Sequence, residues 1–281
     1  MLVLVSAEAE DVLMARRPKN RWPADWFIGD SVVSFSPAVA SRIGNWWHAN
    51  IFVPFGITPL EFGRRLVADL DRQDHVEFLS FDYRYKRVSV MLKGMAGNTL
   101  VYLAGHTLSL APQDEHAEVD LLSVDDDHQG QGIGATLISN LVELARTVGA
   151  RKVVLKAGLE AGPYVWLKFG FFPTDEEWEK IKAPIRSKLD GLGKMVSDEA
   201  RTRIDAALAS SKGRAIAIIA AEEDLVMSKP IFDAPPRDVP LGRALLADSG
   251  IGWYGELDFG DSAAMSIYKD CVERNRARRP E

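Results

Sequence analysis

Cysteine is almost absent from this chain, since Cys271 is the one cysteine in 281 residues. A single cysteine cannot form an internal disulfide framework, and this usage fits a reducing compartment. Also missing are an apolar run long enough to cross a bilayer and a signal peptide with a charged start and a long apolar core. We therefore expect a cytoplasmic protein without a membrane partner.

Positive charge and metal-ligand patterns are scarce as well. Lysine and arginine number 34 against 40 aspartate and glutamate residues, a formal net charge of -6 that gives no support to nucleic-acid binding. The basic clusters at residues 16–21 and 274–279 lie near the termini, where solvated, frayed ends are expected. The acidic run 125–127 is interpreted as a solvated turn, because no other residues have ligand spacing. We predict neither a nucleic-acid partner nor a metal site.

Apolar residues make up 47% of the chain, which is ample for a large core. Thr58-Pro-Leu-Glu61 is typical of a helix start, and apolar residues then recur every fourth position, so we predict a helix over residues 59–72. The first fifty residues also contain four tryptophans that we expect to pack in the core rather than line a groove: Trp22, Trp26, Trp46 and Trp47.

The pattern changes to strands over residues 75–124. Apolar residues alternate there and are separated by short turn signals such as Gly97-Asn98. Consecutive strands with short connections predict an antiparallel meander rather than parallel strands joined by helices. Residues 133–145 then show a helical apolar face, KVVLKA is a buried strand, and a short helix is predicted near Gly162.

Beyond Pro173 the composition becomes helical and charged. The segment DEEWEKIKAPIRSKL predicts a helix that breaks at Pro184, and Asp261 is expected to cap a final helix. The run AIAIIAA fits either a strand or a buried helix. We divide the chain into an N-terminal extension with the first helices (1–74), a core (75–175) and a helical C-terminal extension (176–281).

The most informative stretch is AEVDLLSVDDDHQGQGIG, residues 117–134, in which a strand leads through an acidic turn into glycines that open a helix. Free N–H groups at a helix start, with glycines that allow close approach, bind anions such as pyrophosphate. A dinucleotide fingerprint is disfavoured because residues 125–129 separate the strand from Gly130. A P-loop is excluded because no Lys-Ser/Thr follows the last glycine.

Gln129-x-x-Gly132-x-Gly134, after a strand ending Leu122-Ser123-Val124, resembles the acyl-CoA signature of the GCN5-related N-acetyltransferases (GNAT). The order of elements over residues 75–175 is also similar to that family. The resemblance implies a GNAT-like α/β (α+β) fold, a mixed and largely antiparallel sheet flanked by helices, with N- and C-terminal extensions. It further implies acetyl-CoA, or another acyl-CoA, as co-substrate and an amine-bearing small molecule or protein as acceptor.

The resemblance also places the cofactor. In the family, the strand before the loop splays from its neighbour and its backbone pairs with pantetheine, which here implies Leu122, Ser123 and Val124. The pyrophosphate would be held by the backbone N–H groups of Gln129, Gly130, Gln131, Gly132, Ile133 and Gly134. A side chain at Gly132 would block that approach.

Candidate catalytic residues are fewer. Strand alternation predicts that Asp120 and Leu122 share a face, and family members often carry a base at this offset, so Asp120 is the first base candidate and Glu118 the second. The tyrosine that commonly serves the family as acid, four residues before Gly-Phe, is replaced by Trp166. Tyr164 could replace that acid only if its helix is irregular.

Two functional hypotheses follow. The first is an acyl-CoA-dependent N-acyltransferase that acts by direct attack in a ternary complex, with the acceptor entering a face lined by Asp120, the first helices and the N-terminal tryptophans. The second is an inactive GNAT-fold interaction or structural module, favoured by Trp166 and the acidic turn. The two extensions could shape an acceptor pocket or mediate a homodimer.

Overall fold

A computed structural model describes residues 24–36, 43–70, 73–82, 84–111, 115–158, 162–227, 237–247 and 251–276. The predictions made for Trp22, for the basic cluster at 16–21 and for residues 277–279 lie outside these ranges. Within them, no helix combines the length and apolarity that a membrane span requires.

Ten strands occur in the described residues, and eight of them form one mixed, largely antiparallel sheet in the order β1-β2-β3-β4-β5-β6-β10-β7. They are β1 (Val33–Phe35), β2 (Gln73–Asp82), β3 (Arg87–Ala96), β4 (Thr99–Ser109), β5 (His116–Val124), β6 (Lys152–Ala157), β7 (Phe172–Pro173), β8 (Leu225–Met227), β9 (Asp238–Pro240) and β10 (Trp253–Asp258). Strands β2 to β5 pair antiparallel in sequence order, so the predicted meander is confirmed.

The main helices are α1 (Pro59–Leu66), α2 (Ile133–Thr147), α3 (Gly162–Lys168), α4 (Asp175–Leu192), α5 (Asp198–Ala209), α6 (Ile216–Ala220), α7 (Leu241–Leu246) and α8 (Ser262–Arg276). Shorter helical turns lie at Ala24–Phe27, His48–Phe52, Val53–Phe55, Asp126–His128, Gly193–Met195 and Gly213–Ala215. The sheet is therefore flanked by helices, as expected.

The sheet has two distinct faces. Paired residues share a face, so the register Phe78–Val90–His106–Val119 defines one of them, here called the packed face. Phe62 of α1 contacts the ring of Phe78, and leucines of α2 lie over Val90 and His106. The other side, here called the polar face, carries Ser89, Thr107, Glu118, Lys152 and Glu256.

Helix α1 begins as predicted but ends earlier. The Thr58 hydroxyl accepts from the Glu61 N–H, which caps the start. The predicted end at residue 72 is wrong because the helix stops at Leu66, and Asp69 has a φ of 60° that an α-helix cannot accommodate. The Asn140 amide of α2 donates to the carbonyls of Leu66 and Ala68, which fixes α1 against α2.

The described tryptophans of the N-terminal region pack in the core, so that prediction is confirmed. Trp47 is fully buried, and its ring contacts Phe62 and Phe78 while its indole N–H donates to the Ile57 carbonyl. Trp26 contacts Phe52, and Trp46 contacts Phe81. These rings join the first helices to the packed face of β2.

The predicted break at Pro184 is wrong, because α4 continues through it. Pro184 has no N–H, so the carbonyl of residue 180 loses its helical partner. The proline is exposed, where water can reach that carbonyl, whereas Ile181 and Ile185 on either side are buried. Burial of the apolar stripe thus outweighs one lost hydrogen bond. The unassigned run AIAIIAA contains α6 and is helical.

The chain returns to the sheet after this helical segment. β10 lies between β6 and β7, antiparallel to both, so the sheet crosses the boundaries drawn at residues 74 and 175. Residues 175–247 are therefore an insertion between two strands of one sheet. The Asp261 carboxylate accepts from the N–H groups of Ala263 and Ala264, which confirms the predicted cap of the final helix.

His106 is the buried titratable group of the packed face. It is 2% exposed, and among the described residues neither ring nitrogen has a hydrogen-bond partner. Apolar side chains surround it: Phe62, Leu66, Val88, Val90, Leu141 and Leu144. Burial lowers the pKa of His106 to about 4, so the folded protein holds this ring neutral.

We expect His106 to make the fold acid-sensitive. Folding lowers the pKa of His106, so the folded protein is destabilised once the pH is below the unfolded pKa of about 6.5. Between pH 6.5 and pH 4 the free energy of unfolding should decrease by up to about 3 kcal/mol. Urea unfolding at pH 7 and pH 4.5 should show a smaller loss for His106→Leu than for the unchanged protein. An equal loss in both would contradict this assignment.

Candidate functional site

The candidate site begins where β5 leaves β6. The two strands pair in parallel from His116↔Lys152 to Val119↔Leu155. Beyond this point Lys156 and Ala157 of β6 pair with β10, whereas β5 continues along β4 to Val124. In the described part of the chain, the β6-side edge of residues 121–124 has no strand partner. The sheet is therefore open at the carboxyl ends of β5 and β6.

A β-bulge at Asp120 accompanies this opening. Gly105 pairs with Leu121 and His106 with Val119, so Asp120 is an extra residue in β5. An added Cβ on Gly105 would lie 3.6 Å from the Asp120 Cβ and 3.7 Å from the Leu121 Cβ. Asp120 and Leu121 therefore lie on the same side of the sheet, the polar face.

The prediction that Asp120 and Leu122 share a face is therefore wrong. Leu122 lies under α2 on the packed face, where its side chain would be 3.7 Å from a Cβ added to Gly134. The bulge adds one residue to β5, and this shifts the alternation of every residue that follows.

The loop that follows β5 leads to the start of α2. Gly132 is the N-cap of α2 with φ of 80°, and Gly130 has φ of 79° and open space where a Cβ would project. The N–H groups of Gly132, Ile133 and Gly134 have no acceptor among the described residues, as expected for the first turn of a helix. Gly134 lies against Leu122 and Val124, so the helix start and the open edge adjoin.

Gln129 does not fit the predicted set of N–H donors. Its backbone N–H donates to the Asp126 carbonyl at 3.3 Å, within a short 3₁₀ turn. Its side-chain amide donates to the Val124 carbonyl at 3.2 Å and to the Asp126 carboxylate at 2.7 Å. The Gln129 N–H is thus already used, and its side chain holds the loop together instead.

The carboxylates of the acidic turn form hydrogen bonds within the turn itself. Asp125 Oδ1 accepts from the Asp127 N–H at 3.1 Å and contacts His128 Nδ1 at 3.0 Å, while Asp126 accepts from Gln129. No group of three metal-ligating side chains occurs in the ranges that the structure describes. Two of the three carboxylates are therefore held by hydrogen bonds within the turn.

Asp120 lies at the opening and is held by a hydroxyl pair. The Thr107 hydroxyl donates to Asp120 Oδ2 at 2.9 Å, and the Ser89 hydroxyl lies 2.9 Å from the Thr107 hydroxyl. Since Thr107 donates to Asp120, Ser89 donates to Thr107. Glu118 pairs with Thr107 across the strands and shares this face. Sequence reasoning missed both hydroxyls, because only the register of three strands aligns them.

Residues 67–171 match the model of the Acetyltransferase (GNAT) family. This segment is a GNAT domain. No curated protein matches the chain. Among solved structures, nourseothricin acetyltransferase is 19% identical with a TM-score of 0.26, over 34% of this chain and 55% of that one. A GNAT acetyltransferase from Elizabethkingia anophelis with acetyl-CoA bound is 21% identical with a TM-score of 0.25, over 33% and 58%.

An acetyltransferase from Bacillus cereus ATCC 14579 is 19% identical with a TM-score of 0.26, over 47% of this chain and 79% of that one. This chain therefore spans little more than half the length of the first two structures. The GNAT domain includes β2 to β6, the opening between β5 and β6, and the glycine loop.

The short helix α3 of the GNAT domain is regular. Trp166 contacts the rings of Phe169 and Phe171, at centroid distances of 6.1 and 5.5 Å. Tyr164 lies on another side of the helix, with the Lys168 ammonium 4.4 Å from its ring centroid. The irregularity that an acid role for Tyr164 requires is therefore absent, and that candidate is withdrawn.

The predicted acceptor face is also corrected. α1 and the tryptophans Trp26, Trp46 and Trp47 belong to the buried cluster on the packed face, whereas Asp120 lies on the polar face. The sheet of the GNAT domain thus separates them, and they cannot line one pocket. An acceptor that reaches Asp120 must approach from the polar face.

Proposed function

We propose that this protein is an acyl-CoA-dependent N-acyltransferase, with acetyl-CoA as co-substrate, that acts by direct transfer to an amine in a ternary complex. The observation that carries the proposal is the opening between β5 and β6, which adjoins the unpartnered N–H groups at the start of α2. A slot for an extended chain thus ends at an anion site, as an acyl-CoA requires.

The residues present fit an acyl-CoA. The β6-side edge of residues 121–124 offers backbone donors and acceptors to the amides of the pantetheine arm, in the manner of an added strand. At its end, the Val124 carbonyl already accepts from the Gln129 side chain. The N–H groups of Gly132, Ile133 and Gly134 would hold the pyrophosphate, and Gly130 leaves open space beside them. The match of residues 67–171 to the GNAT acetyltransferase family model also supports this choice. Bound acetyl-CoA would supply the activated acyl carbonyl.

Asp120 is the proposed base, because the bulge brings it to the opening and Thr107 orients its carboxylate. It would take a proton from the amine, directly or through water, so that nitrogen can attack. The C–N bond forms as the C–S bond breaks. An ammonium acceptor loses two protons overall, one to the sulfur and one to solvent. We propose that water protonates the departing thiolate, because a thiol pKa near 8.5 means that the thiolate needs no strong acid to leave.

The glycine loop gives the first test. Gly132→Glu places bulk and negative charge at the helix start, so acetyl-CoA binding measured by calorimetry should weaken by roughly tenfold or more. Gly97→Glu is the matched control, because Gly97 also has a left-handed φ (59°) with open space around it but lies in the β3–β4 turn. Equal affinity of both variants for acetyl-CoA would contradict the proposed pyrophosphate site.

The base gives the second test. Asp120→Asn should lower kcat by about 10²–10⁴-fold with acetyl-CoA affinity unchanged, because the amide cannot accept the proton. Glu118→Gln distinguishes the second candidate and should retain most of the activity, since Glu118 lies where β5 and β6 are still paired. A larger loss of kcat in Glu118→Gln than in Asp120→Asn would identify Glu118 as the base instead.

Thr107 is a positioning residue in this proposal. Thr107→Val removes the hydroxyl that donates to Asp120 and should lower kcat by a smaller factor than Asp120→Asn. Thr107→Ser keeps the hydroxyl and should restore the rate. If the serine variant is as slow as the valine variant, packing rather than orientation explains the effect.

A second candidate function is a GNAT-fold interaction module without catalysis, favoured by Trp166 in place of the tyrosine acid. Acetyl-CoA binding with no release of free thiol in the presence of any amine would support this alternative. Turnover that Asp120→Asn abolishes would exclude it.

A further inference from the structure

The two walls of the opening carry opposite charges on the polar face. Asp120 lies on the β5 wall, where Thr107 holds its carboxylate. Lys156 lies on the β6 wall, one residue beyond the last pair, Val119↔Leu155. Glu118 pairs with Val154 on the polar face, so strand alternation places Lys156 on that face too. An exposed lysine therefore stands across the opening from the proposed base.

Tyr254 extends the lysine wall. It pairs with Lys156 from β10 and is 53% exposed, and the Lys156 ammonium lies 5.4 Å from its ring centroid. The Glu177 carboxylate accepts from the Tyr254 N–H at 3.1 Å, which anchors this strand to the start of α4. Lys156 and Tyr254 thus form one surface beside the opening, here called the lysine wall.

Among the described residues, the charge of Lys156 is offset only in part, through the nearby Glu177 carboxylate, whose pKa it helps to lower. In the described ranges, no carboxylate lies within ion-pair distance of its ammonium. Glu177 is nearby, but its oxygens accept from Lys180 at 2.7 Å and from the Tyr254 N–H. Lys152, four residues earlier on the same strand and face, is by contrast paired with Glu256 at 2.6 Å. Lys156 is therefore available to an anionic group of a bound molecule.

We propose that the acceptor is a small amine that also carries a carboxylate, that is, an amino acid. Asp120 would receive the amine and the lysine wall would bind the carboxylate. This inference rests on the proposed function and names its substrate class. A carboxamide or a simple amine makes no ion pair with Lys156, and a polyamine is repelled by it. Such a pair at an exposed site contributes modestly, about fivefold in affinity at most.

The test compares amino acids with their carboxamides. The full chain is incubated with acetyl-CoA and one acceptor at a time, and the release of free thiol is measured. One set of acceptors is the proteinogenic L-α-amino acids and short ω-amino acids, and the other is their carboxamides. At least one amino acid should be acetylated with kcat/KM roughly two- to fivefold above its carboxamide. Lys156→Gln should bring this ratio close to one through KM, with kcat unchanged. Lys152→Gln is the matched control and should leave the ratio as it was.

Three results would overturn the inference: equal rates for acids and carboxamides, a preference that survives Lys156→Gln, or no acetylation of either set. Acetyl-CoA affinity, measured by calorimetry on the same preparation, distinguishes a failure of the substrate class from a failure of the proposed function. If acetyl-CoA binds and amines without a carboxylate are the better acceptors, only the substrate class is wrong. If acetyl-CoA does not bind, the proposed function fails as well.

Discussion

The extra residue in β5 at Asp120 is the constraint on which the site depends. No residue of β4 pairs with Asp120, but the two strands pair again at Gly105 and Leu121. From this point on, the side chains of β5 alternate between the two faces with a shift of one residue. Asp120 therefore lies on the polar face, and Leu122 and Val124 lie under α2. At the same point β5 loses β6, which leaves a free backbone edge. The bulge thus places the carboxylate on the polar face at the point where the opening between β5 and β6 begins.

The two faces of the sheet have different roles: the packed face supports the start of α2, and the polar face carries the proposed acceptor site. On the packed face, aromatic contacts between α1 and β2 and the Asn140 bonds from α2 to the end of α1 hold the helix that opens with Gly132. This core fixes the proposed anion site relative to the strand edge. The polar face carries Asp120 and the lysine wall, supported by the Thr107 hydroxyl and by Glu177. The proposed pyrophosphate site thus lies on the packed face and the proposed acceptor site on the polar face, and the opening between β5 and β6 joins the two.

Much of the fold and the glycine loop could be predicted from the sequence, because these features are local. Turn residues and alternation predicted the meander, and the glycine spacing predicted the loop that leads to α2. The bulge could not be predicted, since it is defined by the register of a partner strand. The end of α1 and the persistence of α4 through Pro184 likewise depend on tertiary contacts and burial. The place of β10 in the sheet depends on residues far away in the chain.

The central claim is that the free edge of β5 and the start of α2 form one binding slot. Hydrogen exchange of the backbone amides, followed with and without acetyl-CoA, tests it most directly. The account predicts that acetyl-CoA slows exchange both in residues 121–124 and at Gly132, Ile133 and Gly134, while the β3–β4 turn at Gly97 is unaffected. Binding of acetyl-CoA that leaves exchange in both segments unchanged would contradict it.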